Sequence, residues 1–476
     1  MTDSDGGSDP DPSGDPDASG DDAADLEAAV TDAVPEVDGD VAAALGRAWT
    51  DDRPWAFLTD LTAIGSRMAG SDGEAAAADR VAAAFREAGV ANVRQESFEM
   101  TAWERDDSTL RVGSPVDRAF ETVALPYSPP GEVVGELVDV GHGTPKEVDE
   151  RDVAGKVVVA STTTPEGSRF VHRMEKYGYA VERGASGFIF VNHVEGQLPP
   201  TGSLTFGDEA AVPAVGVSAE TGGWLREFAG DGAEARLAVD AETRPGESQN
   251  VVGHVGPDTD EVVLLVAHYD GHDIAEAALD NGCGIATVVA AVDVLTAVAD
   301  ELDHGVRVAA VGCEEVGLLG AEELARNPSD VRCVVNVDGA GRFRDLVAMT
   351  HSSEATAAVA RELRTRTRHP VEVHERPHPF SDQWPFVRQG VPALQLHSDS
   401  EERGRGWGHT HADTRDKVDD RNVREHGMLA ALAVVALADD GVRPPRLDGE
   451  ALAERFREAA FETGMRAANL WPEGWG

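Results

Sequence analysis

The chain of 476 residues carries 87 acidic against 41 basic side chains, a formal net charge of −46, which argues against nucleic acid as a partner because phosphate contacts need lysine and arginine. Its length allows several domains and a sizeable core. Only eight of the acidic residues fall in the first 22 positions, so the acidity belongs to the folded body, where self-repulsion destabilises a compact state unless molar salt shortens the Debye length to about 3 Å.

The first residues show neither a basic nor an apolar signal region. The longest late apolar run, 428–438, is shorter than the roughly 18 residues of a membrane span. A cytoplasmic location without a membrane partner is therefore expected. Cys283, Cys313 and Cys333 are odd in number and do not form a disulfide framework; small buried packing residues are expected.

Residues 1–24 form an Asp/Gly/Ser/Pro-rich acidic tail, expected to be disordered. Residues 25–120 read as the first part of a catalytic domain. Trp55, Leu58, Leu61 and Ile64 share one helical face, and Ser71-Asp72 caps a second helix that carries Val81 and Phe85 and stops at Gly89. Residues 93–98 alternate like a strand. From 121 to 243 the texture changes to short β runs, 155–160, 188–191 and 212–217, with helices expected at 168–183 and from Ala219. His142, His172 and His193 occur singly in this block, where packing or surface roles are the default.

Residues 244–440 read as the main catalytic domain. Three apolar runs, 262–267, 306–311 and 331–337, resemble buried parallel strands. The first is followed by His268-Tyr269-Asp270, the second by Glu314-Glu315 and the third by Asp338. Ligands bind at the carboxyl ends of such strands, so these residues are expected to meet in one site. Helices are expected at 284–298, around Ala321 and at 355–366, with a further strand at 391–396. A long helix over 428–437 precedes a helical extension at 441–476. The fold class is thus α/β: a doubly wound, mostly parallel sheet flanked by helices, with a β-rich α+β insertion.

His268-x-Asp270, Asp280-Asn281-Gly282, Glu314-Glu315, Asp338 and His409-Thr410-x-x-Asp413-Thr414 occur in this order. Together they resemble the two-zinc aminopeptidase and glutamate carboxypeptidase family of metallopeptidases. The motifs around His268 and His409 are closest to the plasma glutamate carboxypeptidase subgroup, and the 121–243 block resembles a protease-associated domain. The scarcity of lysine, four among the 41 basic residues, together with the acidity resembles proteins of salt-accumulating halophilic archaea.

The resemblance implies that His268 and Asp338 hold one Zn2+ and Glu315 and His409 the other, with Asp280 bridging; Co2+ or Mn2+ could substitute. Imidazole and carboxylate suit zinc, and a bridging carboxylate fits paired ions about 3.5–4 Å apart. Glu314 would be the general base and Asp270 the partner that orients His268. His411 is an alternative ligand to His409. His272 and Asp273 either line the mouth of the site or form its loop. Gln383 stands where relatives often have His, and Gly408 where many have a Tyr that stabilises the oxyanion. Arg403 and Arg405 are candidates for binding a substrate carboxylate.

The implied activity is metal-dependent exopeptidase action on short peptides, foremost removal of N-terminal residues through a water held between two zinc ions. A dipeptidase or carboxypeptidase is the alternative. A non-catalytic receptor-like scaffold of the same fold is the rival from another class, and the filled ligand positions argue against it. The resemblance also allows a homodimer.

Overall fold

The computed structural model describes residues 20–399 and 406–476. Most of the expected disordered tail, together with Arg403 and Arg405, lies outside the described residues, whereas residues 20–24 belong to a helix. Helices α1 (Gly20–Ala33), α2 (Gly39–Trp49), α3 (Arg53–Thr62) and α4 (Asp72–Glu87) open the chain. The Ser71 hydroxyl caps α4 by accepting the Glu74 N–H at 3.1 Å, which satisfies a donor that the first helical turn leaves unpaired.

Then follow β1 (Ala91–Val112), β2 (Arg118–Phe120), β3 (Val123–Ala124), β4 (Gly131–Asp139), α5 (Pro145–Asp149), β5 (Val157–Ser161), α6 (Arg173–Glu182), β6 (Gly187–Val191), β7 (Ala214–Val217), α7 (Ala219–Gly230) and β8 (Glu234–Val255). The helix expected from residue 168 starts only at Arg173. There His172 accepts the Met174 N–H while the Glu175 carboxylate accepts the His172 N–H.

The rest of the chain supplies β9 (Val262–His268), α8 (Cys283–Ala297), β10 (Gly305–Val311), α9 (Leu319–Leu324), β11 (Val331–Val337), β12 (Leu346–Met349), α10 (Glu354–Thr367), β13 (Val371–His374), α11 (Trp384–Val387), β14 (Ala393–Ser398), α12 (Asp420–Leu437), α13 (Gly449–Glu458) and α14 (Glu462–Ala467). Neighbouring strands run in the order β13-β12-β14-β11-β9-β10-β8-β4-β5-β6-β7-β3. Strands β14, β11, β9 and β10 are mutually parallel. The segment 343–350 contains strand β12, which pairs antiparallel with β14 and parallel with β13 at the edge of the sheet.

Strand β9 is buried along its whole length. Val263, Leu265 and Ala267 face the core built with α8 and α12, while Leu264 and Val266 face the one built with α11, α13 and α14. That two-sided burial explains why the strand reads as an unbroken apolar run and not as an alternation. The segment Ala278–Ala297 is long and apolar enough to cross a membrane, yet 94% of it is buried as a core helix. Strands β1 and β8 pair antiparallel over 22 residues each. One end of β8 pairs with β10 and the other with β4, so the 243/244 limit drawn from composition falls inside a continuous strand.

Candidate metal centre

Strands β9 and β10 end level, with His268 opposite Val311. The loops beyond these ends, and beyond the end of β11, carry the chemistry. His268 Nε2 lies 3.6 Å from Asp280 Oδ1 and 3.7 Å from Asp338 Oδ1. His409 Nε2 lies 3.2 Å from Asp280 Oδ2 and 3.3 Å from Glu315 Oε2. Asp280 therefore offers one oxygen to each of two groups of ligating atoms. The five residues assigned to metal binding from sequence come together, while His411 is exposed and takes part in neither group.

His272 joins the second group, its Nε2 3.0 Å from Glu315 Oε2. This goes beyond the two roles, lining the mouth or forming the loop, left open by the sequence. Neighbouring Asp273 instead accepts from Arg105 at 2.7 and 2.9 Å. Both ring nitrogens of His268 and of His272, and Glu315 Oε1, are buried without a hydrogen-bond partner among the described residues. Buried polar atoms are ordinarily satisfied, so this set of orphaned polar atoms, with the Nε2 atoms beside carboxylates, fits divalent cations, and its nitrogen and carboxylate chemistry suits zinc.

Asp270 is completely buried, with Oδ1 3.4 Å from His268 Nδ1. Its carboxylate also accepts the Glu314 N–H at 3.1 Å and the Glu315 N–H at 3.2 Å. One side chain thus faces the histidine and fixes the loop that carries both glutamates. Glu315 enters the ligand group, whereas Glu314 lines the pocket outside both groups. Burial, opposed by His268 and reinforced by the charges of Glu315, Asp338 and Asp382, holds the Glu314 carboxyl well above its ordinary range. Burial raises Glu315 to about 7. For Asp338 burial acts upward, but His268 and Arg342 outweigh it and bring the group to about 2. Burial, helped by the charges of Arg173 and Arg105 and opposed by Asp273, pushes His272 down to about 3.

Residues to which the sequence assigned no role of their own hold this arrangement in place. Asp413 accepts the N–H groups of Leu279 at 2.6 Å and Asp280 at 3.1 Å, which explains the aspartate four residues after His409. Asn281 donates to the Val337 carbonyl and accepts from Gly339 N–H, both at 2.9 Å, tying the Asp280 turn to the end of β11. Fully buried Arg67 donates to the carbonyls of Tyr269, Glu276 and Ala277. An isolated arginine outside any motif gives no local sign of such a role.

Gln383 accepts from Asn336 at 2.8 Å, and Asn336 also donates to Ser381 at 2.7 Å. Ser381 in turn donates to Asp338 Oδ2 at 2.8 Å. Gln383 is therefore a buried support for the ligand's neighbour and not a ligand itself. Cys283, Cys313 and Cys333 are free and buried.

The inserted block reaches the centre as well. The Thr201 carbonyl lies 3.3 Å from His409 Nδ1, and the Thr201 N–H donates to the His409 carbonyl at 2.8 Å. His172, read as a lone packing residue, stacks on Phe380 with centroids 4.2 Å apart and lines the same pocket. A cleft of about 680 Å³ opens between the block and the catalytic domain, with Phe170, Arg173 and His193 on one wall and Arg342, Met349 and His378 on the other. Arg342 Nη2 lies 2.9 Å from Asp280 Oδ1.

Comparison with known proteins gives this architecture its place. Peptidase family M28 matches residues 250–434 and the PA domain matches residues 131–225. Residues 250–434 are a family M28 peptidase domain. Probable leucine aminopeptidase 2 of Trichophyton verrucosum (strain HKI 0517) is 24% identical over 71% of this chain and 69% of its own. Mouse carboxypeptidase Q is 22% identical over 80% of this chain and 85% of its own. The match takes in only half of the leucine aminopeptidase 2 of two other Trichophyton species. The M28 fold is shared with BSAP, a zinc aminopeptidase from Bacillus subtilis, at TM-score 0.63 and 23% identity over 83% of this chain and 97% of that one. All five ligand candidates, Glu314 and Asp270 lie within the M28 domain, and Thr201 lies within the PA domain.

Proposed function

We propose that the chain is a dinuclear metallo-exopeptidase and that its leading activity is removal of N-terminal residues from short peptides. The observation that carries the two-ion reading is Asp280, which presents Oδ1 to His268 and Oδ2 to His409. His268 and Asp338 would hold one zinc ion and Glu315 and His409 the other. The pair would polarise the scissile carbonyl and make water a competent nucleophile near neutral pH.

Glu314 is placed for the proton work, because a buried carboxyl with a raised pKa can take a proton from the attacking water and return it to the leaving amine. Asp270 keeps His268 in one orientation. The names of the leucine aminopeptidase relatives support the N-terminal specificity.

Arg342 supports a second reading. Its guanidinium lines the cleft beside Asp280 and suits recognition of a free carboxylate, as a dipeptidase or carboxypeptidase requires. The name of mouse carboxypeptidase Q points the same way.

The net charge supports a halophilic protein working in molar salt, and three buried free thiols support a reducing cytoplasm. The test is hydrolysis of free-amine and N-blocked dipeptides and tripeptides in molar KCl, before and after chelation and zinc replacement. Zinc-restored cleavage of free-amine substrates alone establishes the aminopeptidase. Cleavage of N-blocked substrates with free carboxylates moves the assignment to the second reading, and inactivity of the folded protein with two ions bound rejects both.

A further inference from the structure

We propose that His272 is a sixth ligand of the metal centre, completing a four-donor set with Asp280, Glu315 and His409, while the other ion has three donors in His268, Asp280 and Asp338. The inference rests on the two-ion reading above and is carried by how His272 meets its neighbours.

Its Nε2 lies 3.0 Å from Glu315 Oε2, yet neither ring nitrogen makes a hydrogen bond to any described residue. An imidazole nitrogen and a carboxylate oxygen at this distance either share a proton along their axis or direct lone pairs at a common cation. The first arrangement is missing. His268, a ligand in the two-ion reading, shows the same signature, with no hydrogen bond at either nitrogen and carboxylate oxygens at 3.6 and 3.7 Å.

The spacing of the second group agrees. Neighbouring donors about 2 Å from a tetrahedral zinc stand roughly 3.3 Å apart. His272 to Glu315 is 3.0 Å, His409 to Glu315 is 3.3 Å and His409 to Asp280 is 3.2 Å. The rings of His272 and His409 meet edge to face, with centroids 4.7 Å apart at 77°, so both aim a nitrogen at Glu315 without stacking.

His272 is also held in position from both sides. A Cβ at Gly271 would come within 2.3 Å of the Ala277 side chain, so the chain passes there at a distance only glycine permits. Asp273 is pinned by Arg105. A residue that merely walled the pocket would need no nitrogen at this point, since the ring is only 4% exposed.

The consequence is an unequal pair of ions. Four protein donors close a tetrahedral zinc, whereas three leave a position open, as catalytic sites do. The ion beside His268 is then the one that presents an open position, and the ion beside His272 is the more tightly held.

The test uses the full chain in molar KCl, stripped of metal and titrated with Co2+. The wild type should take up two ions in two separable steps. Its NMR spectrum should show three hyperfine-shifted imidazole N–H resonances, assigned by 15N-histidine labelling. His272→Leu should retain the fold by circular dichroism, lose one of the three resonances and weaken the tighter step by more than the roughly 10–100-fold that loss of an outer-shell partner costs. His272→Phe serves if the leucine variant does not fold.

Two shifted resonances in a wild type holding two ions, or unchanged affinities in the variant, would overturn the sixth ligand and leave the two-ion reading standing. Uptake of fewer than two ions would overturn both.

Discussion

Glu314 and Glu315 are adjacent in sequence and take opposite parts in the site, because the loop beyond β10 is fixed by Asp270 through both of their N–H groups. Glu315 enters the ligand group and Glu314 stays outside it. Glu314→Gln preserves size and the proposed ligand set but removes the carboxyl proposed to carry the proton. Turnover should fall by about 10²–10⁴-fold with metal content unchanged, measured by kcat alongside metal analysis of the same sample. A parallel loss of metal would make Glu314 a ligand and not a base. The candidate ligand residues were legible as a set because each follows an apolar strand run or sits in a dense motif. Arg67, Asn281 and Asp413 were less legible in role, because the groups they hold are 56 to 210 positions distant in sequence.

The irregular connections do as much to build the centre as the strands do. Arg67, in the connection between α3 and α4, donates to three buried carbonyls on the His268 and Asp280 loops. Arg67→Leu removes these three hydrogen bonds, although the Ala277 carbonyl keeps the Gly282 N–H, and should cost on the order of 3 kcal/mol, read as a lower unfolding midpoint in urea for the metal-free protein. On the PA side, Gly202 has φ +128°, and a Cβ there would come within 2.2 Å of the Arg173 guanidinium. Gly202→Ala should therefore displace neighbouring Thr201 and weaken metal affinity by about 10–100-fold, the scale of an outer-shell loss, with circular dichroism unchanged. Chelator competition measures it.

Helix α4 was readable from its Ser71 cap and β9 from its unbroken apolar run. Strands β12 and β13 span four residues each and lie at the edge of the sheet, so they lack the long apolar run that marks a buried strand. The length of β1 and β8 was hidden because their middles are polar and half exposed, as suits a two-stranded ribbon whose pairing is specified by hydrogen bonds more than by a buried face.

For the whole molecule, charge and burial combine into a pH dependence with a definite sign. Burial raises Glu74 to about 8 and Glu315 and Asp413 to about 7, whereas unfolded carboxyls titrate near 4. Between about pH 4 and 8 these three groups thus bind more protons in the folded, metal-free protein than in the unfolded chain, and the stability they contribute falls as pH rises through that window; buried His272 and His351, lowered to about 3, and His397 and His426, lowered to about 4, offset part of this below about pH 6.5. Asp338, lowered to about 2, acts oppositely. Its contribution is present above about pH 4 and is lost as pH falls toward 2. The thermal midpoint of the chelated protein in molar KCl should be lower at pH 8 than at pH 5. Zinc should reduce the difference, because ligands bind metal in their deprotonated form.

The mutual contact of Thr201 with His409 bears on how such a chain can be inherited. An insertion that only hung from the β1–β8 ribbon could be traded among relatives as a free cassette. Here a carbonyl of the insertion faces the outer nitrogen of a ligand, so a transplanted PA domain would arrive with its own backbone path at that point and meet a histidine fitted to another. Recombination that breaks the chain within the ribbon is therefore expected to yield folded hybrids with a mistuned centre, and successful exchanges should carry the 198–205 segment and the His409 loop together.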